Sequence, residues 1–492
     1  MALVPLAIPP GVYRNGTDYQ TSGRWRDASL IRWIEGTMQP IGGWVSRTTV
    51  ASNKKMRGAI SWSASGASRW IAAGTYEKLF AISALNTVTD ITPTSFTAGN
   101  ESAVVNLGYG GKLYGDYFYG TKREDVGTST EATTWSLDTW GEYLVACSSK
   151  DGKIYEWQLN IANDAVVITN APTSNSAIVV TEERFLFALG AGGDVRKVRW
   201  CDREDNTVWT AAATNEAGDI DLQTSGRIML GIKARGQTLI LTNLDAHAAT
   251  YQGPPFVYGF ERVGWSCGAV SRRCAAAVDR GVFWMGSRGF FVFSGGQVQD
   301  IPCDVSDYIF NNLSESQKSL VHAVPNSKFN EVWWFYPSAA STECDSYVVF
   351  NYEENHWTIG TLARTSGIDA GVFNTPIWFG TDGIAYNQES GSNLTAETVF
   401  AESGPFEIGS GDTTMMASML IPDEKTQGQV TVTFKTRFHP NDTERSYGPY
   451  SMAAPTDVRF TGRQVSMRVT GASNASWRWG VPRIDAIPSG RR

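Results

Sequence analysis

The chain has 492 residues and a formal net charge of −7, with 49 glycines and 18 tryptophans. The acidic balance argues against a protein that grips nucleic acid through counterion release, because such proteins are normally basic. The length predicts two or three domains, or one large all-β unit. The glycine- and tryptophan-rich composition favours short strands and tight turns over helices.

Residues 1–50 are predicted to form an N-terminal extended arm. Pro9 and Pro10 favour an extended start, and the stretch SLIRWIEGTMQPIGGW alternates only briefly. The opening MALVPLAIPPGVY lacks the pattern of a secretory signal. No stretch approaches the ~18 apolar residues of a membrane span. We therefore expect a protein made in the cytoplasm, without stable membrane insertion.

A loose repeat over residues 51–400 predicts a degenerate β-propeller. A short apolar run ends in a glycine or charged turn and a second run follows, as in 69–83, 142–159, 184–200, 281–301, 331–360 and 376–388. The KDG, SRG and TDG turns between the runs are typical of hairpins. The spacing of roughly 40–60 residues fits one four-stranded blade, which gives about five or six blades.

One helical segment is predicted within this region, in PCDVSDYIFNNLSESQKSLV at 302–321. Asp304 or Ser306 is the expected N-cap. Tyr308, Ile309 and Leu313 fall on one helical face. We expect a short helix or two between blades.

The last part of the chain, residues 401–492, predicts an antiparallel β-sandwich. The stretch QVTVTFKTRF at 429–438 alternates strictly, with Val430, Val432 and Phe434 on the inward face. The stretches 457–472 and 476–487 alternate in the same way. This pattern is typical of strands with one buried and one solvated face. The boundary with the propeller is expected near 395–405.

The strongest catalytic candidate is the charged stretch VRKVRWCDREDNTVW, which begins at Val195. RKVRWCD alternates as a strand, and Asp202, Glu204 and Asp205 lie at the turn that follows, beside arginines. A general acid and base pair needs environments that push two pKa values apart, and an exposed turn provides none. We interpret the cluster as locally paired surface charge, so it gives no catalytic residue.

No other motif indicates a catalytic, cofactor or metal site. The histidines at 247, 322, 356 and 439 lack metal-ligand spacing. The six cysteines, at 147, 201, 267, 274, 303 and 344, are expected to be buried free thiols. Pairing of Cys267 with Cys274 across a hairpin is the minor alternative. The sequence has no P-loop and no GxSxG elbow, and GYGGKLYGDYFYG at 108–120 is interpreted as an irregular loop.

A glycan-binding or glycan-cleaving propeller is the alternative of a different class. SSKDGKIYEW at 148–157 and GTDGIAYN at 380–387 loosely resemble the aspartate turns of sialidase-like propellers. Asp-Gly is also the ordinary hairpin dipeptide, which is the stronger explanation. Trp333 and Trp334 could stack on sugars. Adjacent strand residues point to opposite faces, however, so at least one of the two belongs to the core.

The stretches 198–222, 280–310 and 476–492 resemble tail hub, or packaged-DNA-stabilisation, proteins of tailed bacteriophages. The order of an N-terminal arm, a degenerate propeller and a sandwich is also similar to that family. The resemblance implies a structural virion protein of the tail that is not an enzyme. It carries over no catalytic, cofactor-binding or metal residue.

The same resemblance implies a set of partners. Such proteins form a hexameric hub or nozzle below the portal–adaptor complex, as part of the head-to-tail connector. They continue the DNA channel, retain packaged DNA until DNA ejection, and anchor tail fibres, spikes or a needle. DNA would pass without sequence-specific binding, and an acidic surface suits this because like charge prevents sticking. A closed ring needs heterologous contacts, and residues 1–50 are a natural candidate to reach a neighbour.

Overall fold

The computed structural model describes residues 3–105, 129–395, 397–407 and 413–490. This part of the chain is almost entirely β-structure and forms a β-propeller and an antiparallel β-sandwich. The predicted loop at 108–120 lies outside the described residues. Within them, no helix is long and apolar enough to cross a membrane.

The first fifty residues run along the molecule as short strands that pair with distant parts of the same chain. These strands are β1 (Leu3–Pro5), β2 (Trp25–Ser29), β3 (Ile31–Ile34), β4 (Thr37–Pro40) and β5 (Trp44–Thr49). β3 and β4 form a hairpin, whereas the other three each complete a sheet whose remaining strands come much later in the sequence. The segment predicted as an extended arm therefore pairs with strands of its own chain.

Four-stranded antiparallel blades follow in chain order. Blade 1 consists of β6 (Ala59–Ser63), β7 (Arg69–Gly74), β8 (Leu79–Ser83) and β9 (Val88–Asp90). A separate pair, β10 (Val104–Val105) and β11 (Ser129–Thr130), precedes the next blade. Blade 2 consists of β12 (Trp135–Trp140), β13 (Tyr143–Ser148), β14 (Ile154–Trp157) and β15 (Val166–Val167). Blade 3 consists of β16 (Ala177–Val180), β17 (Leu186–Leu189), β18 (Lys197–Trp200) and β19 (Gly218–Asp221).

The remaining blades continue the same hairpin pattern. Blade 4 consists of β20 (Ile228–Ala234), β21 (Gln237–Thr242), β22 (Ala246–Gly253) and β23 (Val257–Gly264). Blade 5 consists of β24 (Ala275–Val278), β25 (Gly281–Met285), β26 (Phe290–Ser294) and β27 (Gln297–Ile301). Blade 6 follows the helix α1 (Ser306–Asn312) and consists of β28 (His322–Asn326), β29 (Glu331–Tyr336), β30 (Ser346–Asn351) and β31 (His356–Thr361). Blade 7 consists of β32 (Ser366–Ile368), β33 (Ile377–Phe379), β34 (Ile384–Gln388) and the N-terminal β5.

The seven blades close into a ring. The first strand of each blade lies innermost and contacts the first strand of the next blade, and β32 of blade 7 contacts β6 of blade 1. Ring closure joins the two ends of the propeller segment, because β5 pairs with β34 as the outermost strand of blade 7. A propeller closed in this way leaves only short or covered sheet edges.

The prediction of about five or six blades was too low. The missed repeat is blade 4, whose second and third strands are joined through Asn243, Leu244 and Asp245. This turn lacks the glycine that ends the KDG, SRG and TDG turns of blades 2, 5 and 7. The inward faces of blade 4 are nevertheless as apolar as theirs, with Leu239, Ile240 and Leu241 fully buried.

The sandwich contains strands from both ends of the chain. Its later strands are β35 (Val399–Ser403), β36 (Met415–Ile421), β37 (Val430–Arg437), β38 (Arg445–Ser451), β39 (Thr456–Gly462), β40 (Gln464–Gly471) and β41 (Arg483–Pro488). One sheet has the order β1-β41-β36-β39 and the other β2-β35-β40-β37-β38. The strict alternation predicted for 429–438 is confirmed, because Val430, Val432 and Phe434 are fully buried.

A buried ionic cluster lies where the β3–β4 hairpin meets blade 6. The Arg32 guanidinium donates to Glu331 Oε1 at 2.5 Å and to Glu389 Oε1 at 2.6 Å, and it lies 3.6 Å from the centre of the Phe329 ring. The Trp333 indole N–H also donates to Glu331, at 2.9 Å. On the other side of the same hairpin, Met38 forms a bridge with Trp479 of the sandwich region. The hairpin therefore connects the two units of the molecule.

The predicted helix at 302–321 is confirmed in part. α1 spans Ser306–Asn312, and a 3-10 turn follows at Lys318–Leu320. The N-cap is Val305 rather than Asp304 or Ser306, and it makes no side-chain capping hydrogen bond. Asp304 instead pairs with Arg24 at 3.1 Å, so a contact with the N-terminal segment uses the carboxylate that was expected to cap the helix.

Candidate functional site in the central channel

The charged stretch after Val195 forms the end of a strand and an exposed turn, as the sequence indicated. Val198 and Trp200 of β18 are buried, whereas Glu204 and Asp205 are exposed. Glu204 pairs with Arg184 at 3.1 Å. Hydrogen bonds from the hydroxyl and amide of Thr207 lower the pKa of Asp205, the opposite of what a general acid at neutral pH requires.

The cysteines and histidines do not assemble into a metal or thiol site in the described ranges. All six cysteines are free, and five of them are buried. Burial raises the pKa of the Cys201 thiol to about 12, which keeps it protonated. Among the described residues, no group of three His, Cys, Asp or Glu side chains has the arrangement of a metal site.

The two Asp-Gly sequences are hairpin turns at the same place in blades 2 and 7. Each lies between the second and third strands of its blade, and in each the aspartate accepts a hydrogen bond from a tyrosine hydroxyl four residues later. The Asp382–Tyr386 distance is 2.5 Å. Trp333 and Trp334 of β29 are both buried, so neither is available to stack on a sugar.

One concave site is the central channel of the propeller, a cavity of about 370 Å³. Every blade contributes to its wall through its innermost strand or the residues just before it. Small side chains keep the channel open, and they include Ala59, Ala275, Ala277, Ala323 and Ser366. The middle of a propeller is a common place for a binding site because loops and strand ends from all blades converge there.

The charged residues of the wall are mostly cationic, in contrast to the acidic chain as a whole. Among the described residues, the wall contains the cations Lys233, Arg272 and Arg273 and one carboxylate, Asp138. Lys233 pairs with Asp138 at 2.9 Å, and the Val180 amide also donates to this carboxylate at 2.8 Å. Arg272 pairs at 2.6 Å with Glu131, which lies outside the wall.

Arg273 has no carboxylate partner within ion-pair distance in the described part of the chain. Its guanidinium donates to the carbonyl oxygens of Thr365 at 3.2 Å and Leu320 at 3.4 Å. Burial, together with the nearby charge of Arg57, lowers the pKa of Arg273 to about 10, so it is still cationic at neutral pH. Arg57 itself is neutralised by Glu343, at 2.7 Å.

His322 lies beside Arg273, because the two residues form a bridge between the starts of blades 5 and 6. The His322 Nδ1 atom lies 3.2 Å from the Leu320 carbonyl oxygen. A carbonyl can only accept, so Nδ1 carries the proton and Nε2 is left with a lone pair. His322 Nε2 is buried and has no hydrogen-bond partner among the described residues. Burial and the Arg273 charge lower the pKa of His322 well below its usual value, so the ring is neutral.

Sequence reasoning did not find this site. The wall residues come from seven separate strands, and none of them belongs to a recognisable motif. The available signal was the adjacent pair Arg272-Arg273 in GAVSRRC, directly before an apolar strand. Two cations at the start of a buried strand need partners or a polar cavity, and that argument points to the channel.

The described chain is thus a seven-bladed propeller joined to a β-sandwich. No protein-family model matches the sequence, and no curated protein matches it. Among solved structures, virginiamycin B lyase from Staphylococcus aureus is similar with 7% identity and a TM-score of 0.44, over 70% of this chain and 98% of the lyase chain. The N-terminal domain of Nup159 has 8% identity and a TM-score of 0.35, over 77% of this chain and 98% of that domain.

A glycoside hydrolase structure is also similar, with 7% identity and a TM-score of 0.29, over 89% of this chain and 98% of that chain. These similarities concern the fold alone.

Proposed function

We propose that this chain is a structural, non-catalytic protein of a tailed-bacteriophage virion. In this proposal it forms a homo-hexameric tail hub or nozzle below the portal–adaptor complex and continues the DNA channel. It retains packaged DNA, lets it pass at ejection without sequence-specific binding, and anchors tail fibres, spikes or a needle. The observation that carries the proposal is the resemblance of residues 198–222, 280–310 and 476–492 to that family.

The internal construction of the chain supports the mechanical part of this proposal. A subunit of a pressure-bearing conduit must transmit load between its parts without separating. Here the N-terminal strands are shared between both units, since β5 completes blade 7 while β1 and β2 complete the sandwich. The Arg32 cluster and the continuous apolar core between the sandwich and blades 4–6 add to this connection.

The first experiment is to measure mass and symmetry. The purified protein is examined by native mass spectrometry and by electron-microscopy class averages, alone and mixed with a portal–adaptor ring. The proposal expects a six-fold ring, or a monomer that becomes part of a six-fold ring only on docking. A monomer that ignores the portal–adaptor ring would contradict it.

A glycan-directed protein is the second candidate, and one surface feature favours it. Trp265 is 69% exposed, which is unusual for so large an apolar side chain. It borders a cleft of about 500 Å³ that also contains Glu261, Arg262 and Asp300. An exposed indole has a flat apolar face on which a sugar ring could stack, and the neighbouring carboxylates can accept hydrogen bonds from hydroxyl groups.

Incubation with host-surface polysaccharide tests this second candidate. Release of reducing ends, or binding that Trp265→Ala abolishes, would favour it over the hub. The exposed Phe256, substituted as Phe256→Ala, is the matched control, because it removes an exposed ring away from the cleft. Unchanged polysaccharide and no retention would exclude the glycan function.

A further inference from the structure

Three connected cavities follow the seam between blades 4 and 5. The central channel shares Lys233 and Ala277 with a groove of about 500 Å³, which is lined by the first turns of the two blades. That groove shares Gly296 with the cleft beside Trp265, which is lined by the outermost strands β23 and β27. The cavities therefore form one path from the channel to the outer edge of the propeller.

The groove, at the inner end of this path, is mostly cationic. Its described lining contains Lys233, Arg235 and Arg280 but one carboxylate, Asp279. Lys233 and Arg280 each pair with a carboxylate outside the groove. Arg235 is exposed, and no ion pair is found for it among the described residues. The lining also includes the buried apolar side chains of Val282 and Phe293.

The cleft, at the outer end of the path, has the opposite charge. Its described lining contains the carboxylates of Glu261 and Asp300 and one cation, Arg262. Arg262 already pairs with Asp245 at 3.3 Å, whereas no ion pair is found for Glu261 or Asp300 in the described ranges. Most of the Trp265 side chain is exposed beside them. Tryptophan is enriched among the residues that contribute most to binding at protein interfaces.

We propose that this path binds an extended polypeptide segment of a partner protein. The segment has acidic side chains over the groove, basic side chains over the cleft, and an apolar side chain against Trp265. Opposite charges at the two ends favour a polypeptide, because nucleic acids and acidic polysaccharides carry charge of one sign and are repelled by Glu261 and Asp300. The site does not depend on the proposed virion function, since it lies on one propeller and not on the ring.

Selection from a display library of short random peptides tests the proposal on the full-length protein. We expect the enriched peptides to separate acidic and basic residues into two halves, with an apolar residue in the basic half. The same selection on Arg235→Glu should no longer favour the acidic half. Absence of enrichment, or enriched peptides without this separation of charge, would overturn the proposal.

Single substitutions then locate one enriched peptide by fluorescence anisotropy. Arg235→Glu and Asp300→Lys each place a repulsive charge at one end of the path and should weaken binding by roughly three- to tenfold. Trp265→Ala removes the apolar contact and should weaken binding by roughly tenfold or more. Arg288→Glu and Phe256→Ala change an exposed charge and an exposed ring outside the three cavities, so both should bind the peptide unchanged. Equal affinities of Arg235→Glu and Arg288→Glu would overturn the site.

Two further probes separate the other possible occupants. A single-stranded oligonucleotide that binds more tightly than the enriched peptide would overturn the choice of a polypeptide. Retention of host-surface polysaccharide through Trp265, with no peptide enriched, would assign the cleft to the glycan function instead. A protein that forms the six-fold ring but enriches no peptide would contradict this site while leaving the hub proposal intact.

Discussion

At the scale of single residues, the Arg32 cluster joins the β3–β4 hairpin to blade 6 and to the end of blade 7. One guanidinium and the carboxylates of Glu331 and Glu389 are almost completely removed from water. Burial raises the pKa of Glu331 despite the nearby guanidinium. Burial also acts on Glu389, but the charge of Arg32 and hydrogen bonds, including one from the Gly42 amide, outweigh it and lower the pKa. Arg32 is the cationic partner of both carboxylates, and no other ion pair is found for either of them among the described residues.

Arg32→Met should therefore be strongly destabilising. It leaves two buried carboxylates without a cation, and breaking a buried ion pair from one side costs about 3–5 kcal/mol. The comparison is Arg280→Met, which removes one partner of the exposed Arg280–Glu353 pair and should cost about 1 kcal/mol or less. Urea unfolding followed by tryptophan fluorescence measures both. Similar losses for the two variants would contradict this account.

Buried histidines should make the protein less stable in mild acid. Burial lowers the pKa of His247, His322 and His356 in the folded protein, whereas an unfolded chain protonates them near pH ~6.5. The unfolded state then binds more protons below that pH. The contribution of these histidines to the free energy of unfolding is therefore fully present above pH ~6.5. It is lost as the pH falls below that value.

Thermal unfolding between about pH 7.5 and about pH 5.5 tests this direction, since most carboxylates stay ionised over that range. The midpoint should fall with pH, and His322→Gln should reduce the fall. His439 is exposed, so His439→Gln should leave the fall of the midpoint unchanged. A midpoint that is constant over this range, or an equal effect of both substitutions, would show that the buried histidines do not control it.

At the scale of elements, blade 7 holds the ring closed. Its β33–β34 hairpin turns at Asp382-Gly383, beside the end of β5. Gly383 has φ +80°, and a Cβ there would lie 1.7 Å from the Ala51 carbonyl oxygen. The Val50 amide donates to the Gly383 carbonyl at 2.9 Å. The turn and the closing strand therefore pack directly on each other's backbone.

Gly383→Ala should destabilise the closing blade more than an equivalent strained substitution elsewhere. Gly391 has a similar φ of +74° but no atom within 4 Å of its Cβ position. Gly391→Ala should cost about 1–2 kcal/mol from the left-handed backbone alone. Gly383→Ala adds overpacking worth ~1–3 kcal/mol. Urea midpoints compare the two, and protease cleavage near residue 50 should increase in Gly383→Ala only. Equal midpoints would mean that the Gly383 turn can move away from the Ala51 carbonyl without a loss of stability.

The sequence predicted individual strands better than their long-range pairing. Alternation placed Val430, Val432 and Phe434 correctly, because one buried face is a local property of a strand. The partner of β5 could not be predicted in this way, since the sheet that it completes contains β34 from the far end of the propeller. The channel wall was missed for the same physical reason. Arg273 and His322 become neighbours only when blades 5 and 6 are packed side by side.

At the scale of the whole molecule, both ends of the chain lie in one sandwich. β1 pairs with β41, so residues near the start and end of the sequence form adjacent strands. Among the described strands, β1 is the edge of its sheet, with Leu3 and Val4 exposed. An unpaired sheet edge is available for contacts with other chains. In the proposed hexamer, this edge is a candidate for contact with the neighbouring subunit.

Removal of residues 1–20 should therefore weaken ring assembly without unfolding the propeller. The truncation deletes β1 but keeps β2 and β5, so every blade retains its four strands. Electron-microscopy class averages report the assembly, and near-ultraviolet circular dichroism reports the aromatic packing of the blades. An intact ring from the truncated chain would refute the assembly role. Loss of the near-ultraviolet circular dichroism signal would contradict the expectation that the propeller folds without residues 1–20.

The origin of β5 also affects how the protein is made. A ribosome releases β5 early, but its partner β34 is synthesised only after six blades have emerged. Until then blade 7 does not exist and the ring is open, with β6 and the latest blade lacking a neighbour. Non-local pairing of this kind is slow to form. A nascent chain that terminates before β34 can never close its ring, so closure distinguishes chains extended past Gln388 from those abandoned earlier.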